Sequence, residues 1–241
     1  MSAYDARMKA RIIGCALGLF ACDDEAAKTV AISGTAYTFN TPTPVEGAVV
    51  RIVQHPELST TTAADGSYRI EVPAGEVTPY VEHADHVTMH LQTFDADQDI
   101  ERANFQMVIP DIYAALSAIL SVTPDPTRCQ VASTVSAKPI QTMTFAEFLA
   151  FTTAEHGHGV AGATVTLEPA DATIYYFNEE VIPDKSRTTT SKDGGVVIAN
   201  MPVGRHVLRA THPERQFVEV VVDCEAGRFI NANPAQGLKE L

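Results

Sequence analysis

The chain has no tryptophan, only 7% aromatic residues, and 17 Lys and Arg against 30 Asp and Glu among 241 residues. Without tryptophan it lacks the residue on which most exposed sugar-stacking platforms are built. The formal net charge of −13 and a pI near 4.9 exclude nucleic acid as a partner, because that class is held by clustered basic side chains. No apolar run approaches the roughly 20 residues that a membrane-spanning helix needs. There is no Gly-x-Ser-x-Gly elbow, phosphate-binding loop or His-Glu-x-x-His helix, which removes the common hydrolase, nucleotide and zinc-protease signatures. Long helical periodicity is absent too. With 14 Gly and 14 Pro, this favours an all-β chain of two domains of about 100 residues each.

What is present is an internal repeat. Val45-Glu-Gly-Ala-Val-Val-Arg-Ile-Val53 is followed by Thr61-Thr-Ala-Ala-Asp-Gly-Ser-Tyr-Arg-Ile-Glu-Val-Pro-Ala-Gly75. Val160-Ala-Gly-Ala-Thr-Val-Thr-Leu167 is followed by Thr189-Thr-Ser-Lys-Asp-Gly-Gly-Val-Val-Ile-Ala-Asn-Met-Pro-Val-Gly204. Tyr68, Ile70 and Val72 alternate with Ser67, Arg69 and Glu71, the period of a half-buried strand. Asp65-Gly66 and Asp193-Gly194 are tight-turn dipeptides. Pro73 and Pro202, each followed two residues on by Gly, interrupt the ladder. The copies are offset by 115 residues at Gly47 and Gly162 but by 128 at Asp65 and Asp193, so the second hairpin holds 13 extra residues around Ile174–Ile182. Loop insertions cost a scaffold little and often carry function.

On Val45-Glu-Gly-Ala48, Thr62-Ala-Ala-Asp-Gly-Ser-Tyr68 and Pro73-Ala-Gly75 the chain resembles the carboxypeptidase regulatory-like domain family, over roughly residues 29–105 and 128–230. The resemblance implies two prealbumin-like (transthyretin-like, Ig-like) β-sandwiches. The second copy departs from the pattern at Gly195. Such motifs carry fold and little function.

At the N-terminus, Arg7, Lys9 and Arg11 precede the short apolar run Ile12–Ala21, the pattern of an export signal. Leu19-Phe-Ala-Cys22 resembles the lipobox of bacterial lipoproteins, with Phe20 where a small residue is usual. That implies lipid on Cys22 and a polar tether after it. A cleaved signal without lipid, or a buried N-terminal helix, is the competing reading, and Met8 is as conventional a start as Met1. The expected organisation is a signal peptide over 1–21, a tether over 22–28, a first sandwich over 29–108, a helical linker over 109–127 and a second sandwich over 128–241. Export leaves Cys129 and Cys224 in an oxidising compartment, which predicts a disulfide between them; two buried thiols are the alternative.

In the linker, Pro110-Asp111 starts a short helix whose apolar stripe is expected at Ile112, Leu116, Ile119 and Leu120. Thr144 and Glu147 have capping-box spacing, which predicts a second helix over 144–151 with Phe145 and Phe148 in the core.

Histidines are the densest chemical signal. His83, His86 and His90 lie in Glu82–Phe94, and His156-Gly-His158 precedes the second copy. In a strand His86 and His90 would share a face about 13 Å apart, too far for one metal. His83 and His86 could approach each other at a loop, with Glu82 or Asp85 as oxygen donors, and hold a divalent transition metal. Tyr80, His83 and His86 follow the ligand order of the intradiol ring-cleavage dioxygenases, non-haem iron enzymes on this type of sandwich, but that family's Arg-Pro-x-His-x-His segment is missing. Tyr175, Tyr176 and Phe177, in the insertion, are candidates for a binding surface. The expectation is an exported, lipid-anchored, non-enzymatic binding or structural module of the cell envelope, periplasmic or on the surface, with no cofactor. Its partner would be a protein or glycan, met through the insertion at 169–187. The alternative is a metal-binding protein or metal-dependent enzyme at His83, His86 and His90. Function is expected where the copies differ: the His83–His90 segment of the first, and the helix and long hairpin of the second.

Overall fold

The computed structural model describes residues 28–39, 41, 43–151, 157–232 and 234–241. The signal segment, Cys22, most of the tether and His156 lie outside them.

The first copy supplies β1 (Thr29–Thr38), β2 (Val49–Ile52), β3 (Ser59–Thr61), β4 (Ser67–Pro73), β5 (Gly75–Val77), β6 (Pro79–Glu82), β7 (Met89–His90), β8 (Phe94–Ala96) and β9 (Phe105–Met107). Helix α1 (Pro110–Leu120) leads to β10 (Cys129–Ser136), a 3-10 turn (Lys138–Thr142) and α2 (Phe145–Phe151). Then follow β11 (Thr164–Glu168), β12 (Thr173–Phe177), β13 (Pro183–Asp184), β14 (Gly195–Met201), β15 (Gly204–Thr211), β16 (Val220–Cys224), β17 (Phe229–Ala232) and β18 (Leu238–Lys239). The fold is all-β, two sandwiches joined by α1. Along β4 the apolar side chains are buried and Ser67, Arg69 and Glu71 exposed, as period 2 requires.

The repeat recurs in strand pairing, turn geometry and one buried clamp. In each copy the first strand is flanked by an antiparallel hairpin strand (β1 by β4, β10 by β14) and a parallel closing strand (β1 by β9, β10 by β17). In each Asp-Gly turn the carboxylate accepts the amide two residues on, Ser67 in one copy and Gly195 in the other, both at 3.0 Å. Gly66 and Gly194 have φ near +76° and +77°. A Cβ there would meet Ala36 O at 2.3 Å and Val135 O at 2.4 Å, so the turn excludes a side chain on two grounds.

A buried threonine clamps each copy. Thr62 Oγ1 accepts Ala48 N–H at 2.9 Å and donates to Val45 O at 2.6 Å. Thr190 Oγ1 accepts Ala163 N–H at 2.9 Å and donates to Val160 O at 2.6 Å. Valine keeps the shape and strands both backbone groups, so Thr62→Val and Thr190→Val are each expected to cost about 1–3 kcal/mol. Urea unfolding checks this, and a loss under about 0.5 kcal/mol would mean the clamp contributes no more than an ordinary surface contact.

Two hydrophobic cores form, one from residues of the first copy plus Phe229, the other from residues 129–238. The copies are joined by more than the helix. One sheet runs in the order β13-β12-β14-β10-β17-β7-β6-β2-β3, with β18 paired to β10. It crosses between copies at Ile230↔His90. Thr93 N–H donates to Val221 O at 3.0 Å, Thr93 Oγ1 to Asp223 at 2.9 Å, Gly237 N–H to Gln92 Oε1 at 2.9 Å, and Arg205 pairs with Glu76. The expected disulfide is present, joining β10 to β16 over a separation of 95 residues.

Three expectations need correction. His86 and His90 do not lie on one strand: the chain turns at Ala84–Asp85 and only Met89–His90 is strand. In α1 the inward face is Tyr113, Leu116, Ser117 and Leu120, while Ile112 and Ile119 are exposed. The cause is Tyr113, whose ring packs on Phe229 at 5.4 Å. The capping box at Thr144 and Glu147 forms, but no α2 residue is buried, so Phe145 and Phe148 are not core.

Candidate functional site

The extra pieces of the second copy converge on one cavity. The insertion forms β12 and β13, which extend the long sheet beyond β14. α2 lies in the lengthened connection between β10 and β11. Phe177 of β12, Val181 of the insertion, and Phe148 and Leu149 of α2 form part of the wall of a partly open cavity of about 230 Å³ between the copies. Tyr37, Thr38, Phe39 and Gln106 face it from the first copy. Ser133, Thr134, Phe148, His158, Phe177, Asp193 and Asn231 face it from the second. α2 bridges the two, Phe145 lying 4.6 Å from the Tyr37 ring and Phe148 edge-on to His158 at 5.6 Å.

Its ionisable pair is His158 and Asp193, with Nε2 and Oδ1 3.6 Å apart, both nearly buried. That distance is beyond hydrogen bonding. Burial lowers the His158 pKa, partly countered by the Asp193 charge. Burial raises the Asp193 pKa, offset in part by His158 and by the Gly195 N–H. The imidazole is therefore neutral near pH 7, and the carboxylate is left without a close cation. Burial also drives the Tyr37 phenol upward, so it stays protonated.

Gly195, where the copies part, has a physical reason here. A Cβ at this position would stand 2.5 Å from Asp193 Oδ2 and 3.0 Å from the Phe177 ring. Ser67, its counterpart, is exposed.

Of the histidines singled out in the sequence, the structure brings two together. His83 and His86 have Nδ1 atoms 3.1 Å apart, and His86 Nε2 is 3.2 Å from Oγ1 of Thr38 on the cavity wall. Burial, then the neighbouring His83, lowers the His86 pKa, with Asp85 opposing. His90 stands apart, stacked on Tyr80 at 5.1 Å. Among the described residues no group of three His, Cys, Asp or Glu side chains is close enough to hold a metal. Of the aromatic run, Phe177 lines the cavity, Tyr176 is buried with its hydroxyl accepting Val165 N–H at 3.0 Å, and Tyr175 is half-buried. Sequence reasoning missed Tyr37, His158 and Asp193 as a group. The available signal was the coincidence of two extra segments and one Gly departure in the same copy.

No family model and no curated protein matches the chain. Among solved structures it is similar to a chain of a type II cohesin–X–dockerin complex from Acetivibrio cellulolyticus, at 25% identity and TM-score 0.28, over 32% of this chain and 56% of that one. It is also similar to the minor pilin of Streptococcus agalactiae, at 11% identity and TM-score 0.29, over 88% of this chain and 96% of that one. The shaft pilin of Lactobacillus rhamnosus GG is similar at 8% identity and TM-score 0.25, over 88% and 97% of the two chains. At these scores the likenesses assign neither family nor activity.

Proposed function

We propose that this chain is an exported, non-enzymatic binding module of the cell envelope, tethered by lipid on Cys22. The observation that carries the reading is that both extra segments of the second copy, through Phe177 and Val181 of the insertion and Phe148 of α2, reach one cavity walled by both copies. A repeat that only spaced or stiffened a structure would have no use for that difference. The shared sheet and the contacts of Thr93, Gln92 and Arg205 support a fixed cavity shape, and a preorganised site binds with less loss of entropy. The Cys129–Cys224 disulfide is in keeping with an oxidising compartment outside the cytosol. The basic head, apolar run and Leu19-Phe-Ala-Cys22 support lipid anchoring. A buried carboxylate beside a neutral histidine, with no cluster of three metal ligands among the described residues, supports a site that binds.

Cell fractionation with metabolic palmitate labelling tests the location. The full chain is expected in the membrane fraction and labelled, and Cys22→Ser unlabelled and in the soluble exported fraction. An unlabelled full chain, or one retained in the cytoplasm, would remove this reading.

A further inference from the structure

We infer that the cavity between the copies is a receptor site for a compact organic cation, an ammonium group carried on an apolar body. This deepens the binding-module reading and rests on it.

The charge balance points there first. Among the described lining residues the ionisable ones with a charge to offer near pH 7 reduce to Asp193, and no Lys or Arg contributes to the wall. One carboxylate oxygen of Asp193 already accepts the Gly195 N–H at 3.0 Å. The other faces His158 at 3.6 Å, too far for a hydrogen bond, from a ring that its own burial keeps neutral. A buried carboxylate without a cation is costly, and a cationic guest supplies what the protein does not. An anion would add a second negative charge to the same space. A neutral guest would leave the first uncompensated.

The walls agree with the charge. Tyr37, Phe39, Phe148 and Phe177 reach the cavity from four different elements or turns. Aromatic faces attract ammonium groups through the ring quadrupole, most strongly where water is excluded. The same rings fit an apolar body. The volume, about 230 Å³, lies just under the roughly 300–1,000 Å³ of drug-sized sites and so selects a small guest. A chain of net charge −13 raises the local concentration of cations around it. Gly195 contributes by absence, since a side chain there would fill the space beside the Asp193 carboxylate.

The test titrates the purified full chain calorimetrically with three probes of similar size: benzyltrimethylammonium, benzyl alcohol and phenylacetate. Benzyltrimethylammonium is expected to bind at least about tenfold more tightly than the alcohol, with phenylacetate weakest. Asp193→Asn retains an acceptor for the Gly195 amide and should bring the ammonium within about twofold of the alcohol. Phe148→Leu, on a helix with no buried residue, should weaken the ammonium several-fold and spare the alcohol. An unchanged melting temperature in both variants confirms that the fold is kept. Equal or tighter binding of the alcohol or of phenylacetate would overturn the cation assignment while leaving the cavity a binding site. Failure of all three probes at millimolar concentration would overturn the binding-module reading with it.

Discussion

Removing the Cys129–Cys224 bridge is expected to lower stability by about 4–5 kcal/mol, the largest single loss anticipated for this chain. The two cysteines are separated by 95 residues, and on the chain-entropy account a loop of that size restricts the unfolded ensemble by about that amount. The bond also joins opposite faces of the second sandwich, since β10 belongs to the long sheet and β16 to the sheet β11-β15-β16. Both cysteines lie in the second core, so Cys129→Ala/Cys224→Ala removes packing as well as the cross-link. In a chain of this length the loss corresponds to a drop in melting temperature of about 10–15 °C. Urea unfolding of the double variant against the oxidised protein measures it, and a difference below about 1 kcal/mol would show that the bridge is incidental. The effect should spread to the joint between copies. β16 carries the Val221 carbonyl and the Asp223 carboxylate that hold Thr93, so the Thr93 amide should exchange faster in the double variant than in the intact protein.

The parts of this structure readable in the sequence are those set by neighbours along the chain. Tyr68-Arg-Ile-Glu-Val72 alternates and forms a half-buried strand. Asp-Gly forms the same turn twice because the carboxylate and a positive φ suffice to specify it. Thr144 and Glu147 cap each other within one turn. The cysteine pair was readable because few pairings were possible. What was not readable depends on residues far apart. Asp65 and Asp193 occupy one motif, yet the first is exposed and the second buried. The difference comes from α2 and β12, which cover only the second turn. The stripe of α1 is rotated from the expected one because Tyr113, which a hydropathy pattern undervalues, found Phe229 from the far end of the chain. The joining of two sheets rests on β7, a strand of two residues, too short to leave a periodic signal. Its pairing with β17 follows from three-dimensional packing alone.

That joint is where acid should act. His90 pairs with Ile230 across the boundary between copies and stacks on Tyr80. Its Nδ1 is buried with no hydrogen-bond partner. Burial, then the nearby Arg228 guanidinium, lowers its pKa from 6.5 to about 4, with the Phe229 backbone opposing. Arg228 is itself paired with Glu225 at 2.7 Å, which moderates its field at the imidazole. A base with a lowered pKa in the folded state takes its proton more readily when unfolded. Its contribution to stability is therefore complete above pH 6.5 and is lost as pH falls from 6.5 to about 4. The loss amounts to about 3 kcal/mol over that window. His158 and His86 are lowered as well and act with the same sign, so the wild-type curve alone does not isolate His90. His90→Phe does, because phenylalanine keeps the stack on Tyr80 and cannot take a proton. Urea unfolding at pH 7, 5.5 and 4.5 should find the wild type losing stability more steeply than His90→Phe, by about 3 kcal/mol at the acid end. Parallel curves would mean that His90 reaches solvent and titrates normally. Hydrogen exchange gives the location: at pH 5 the amides of His90 and Ile230 should open before those of β1 and β4, whose pairing runs through seven residue pairs and contains no histidine. The shared sheet would then part first at its narrowest point, between His90 and Ile230, while the pairing of β1 with β4 stayed closed.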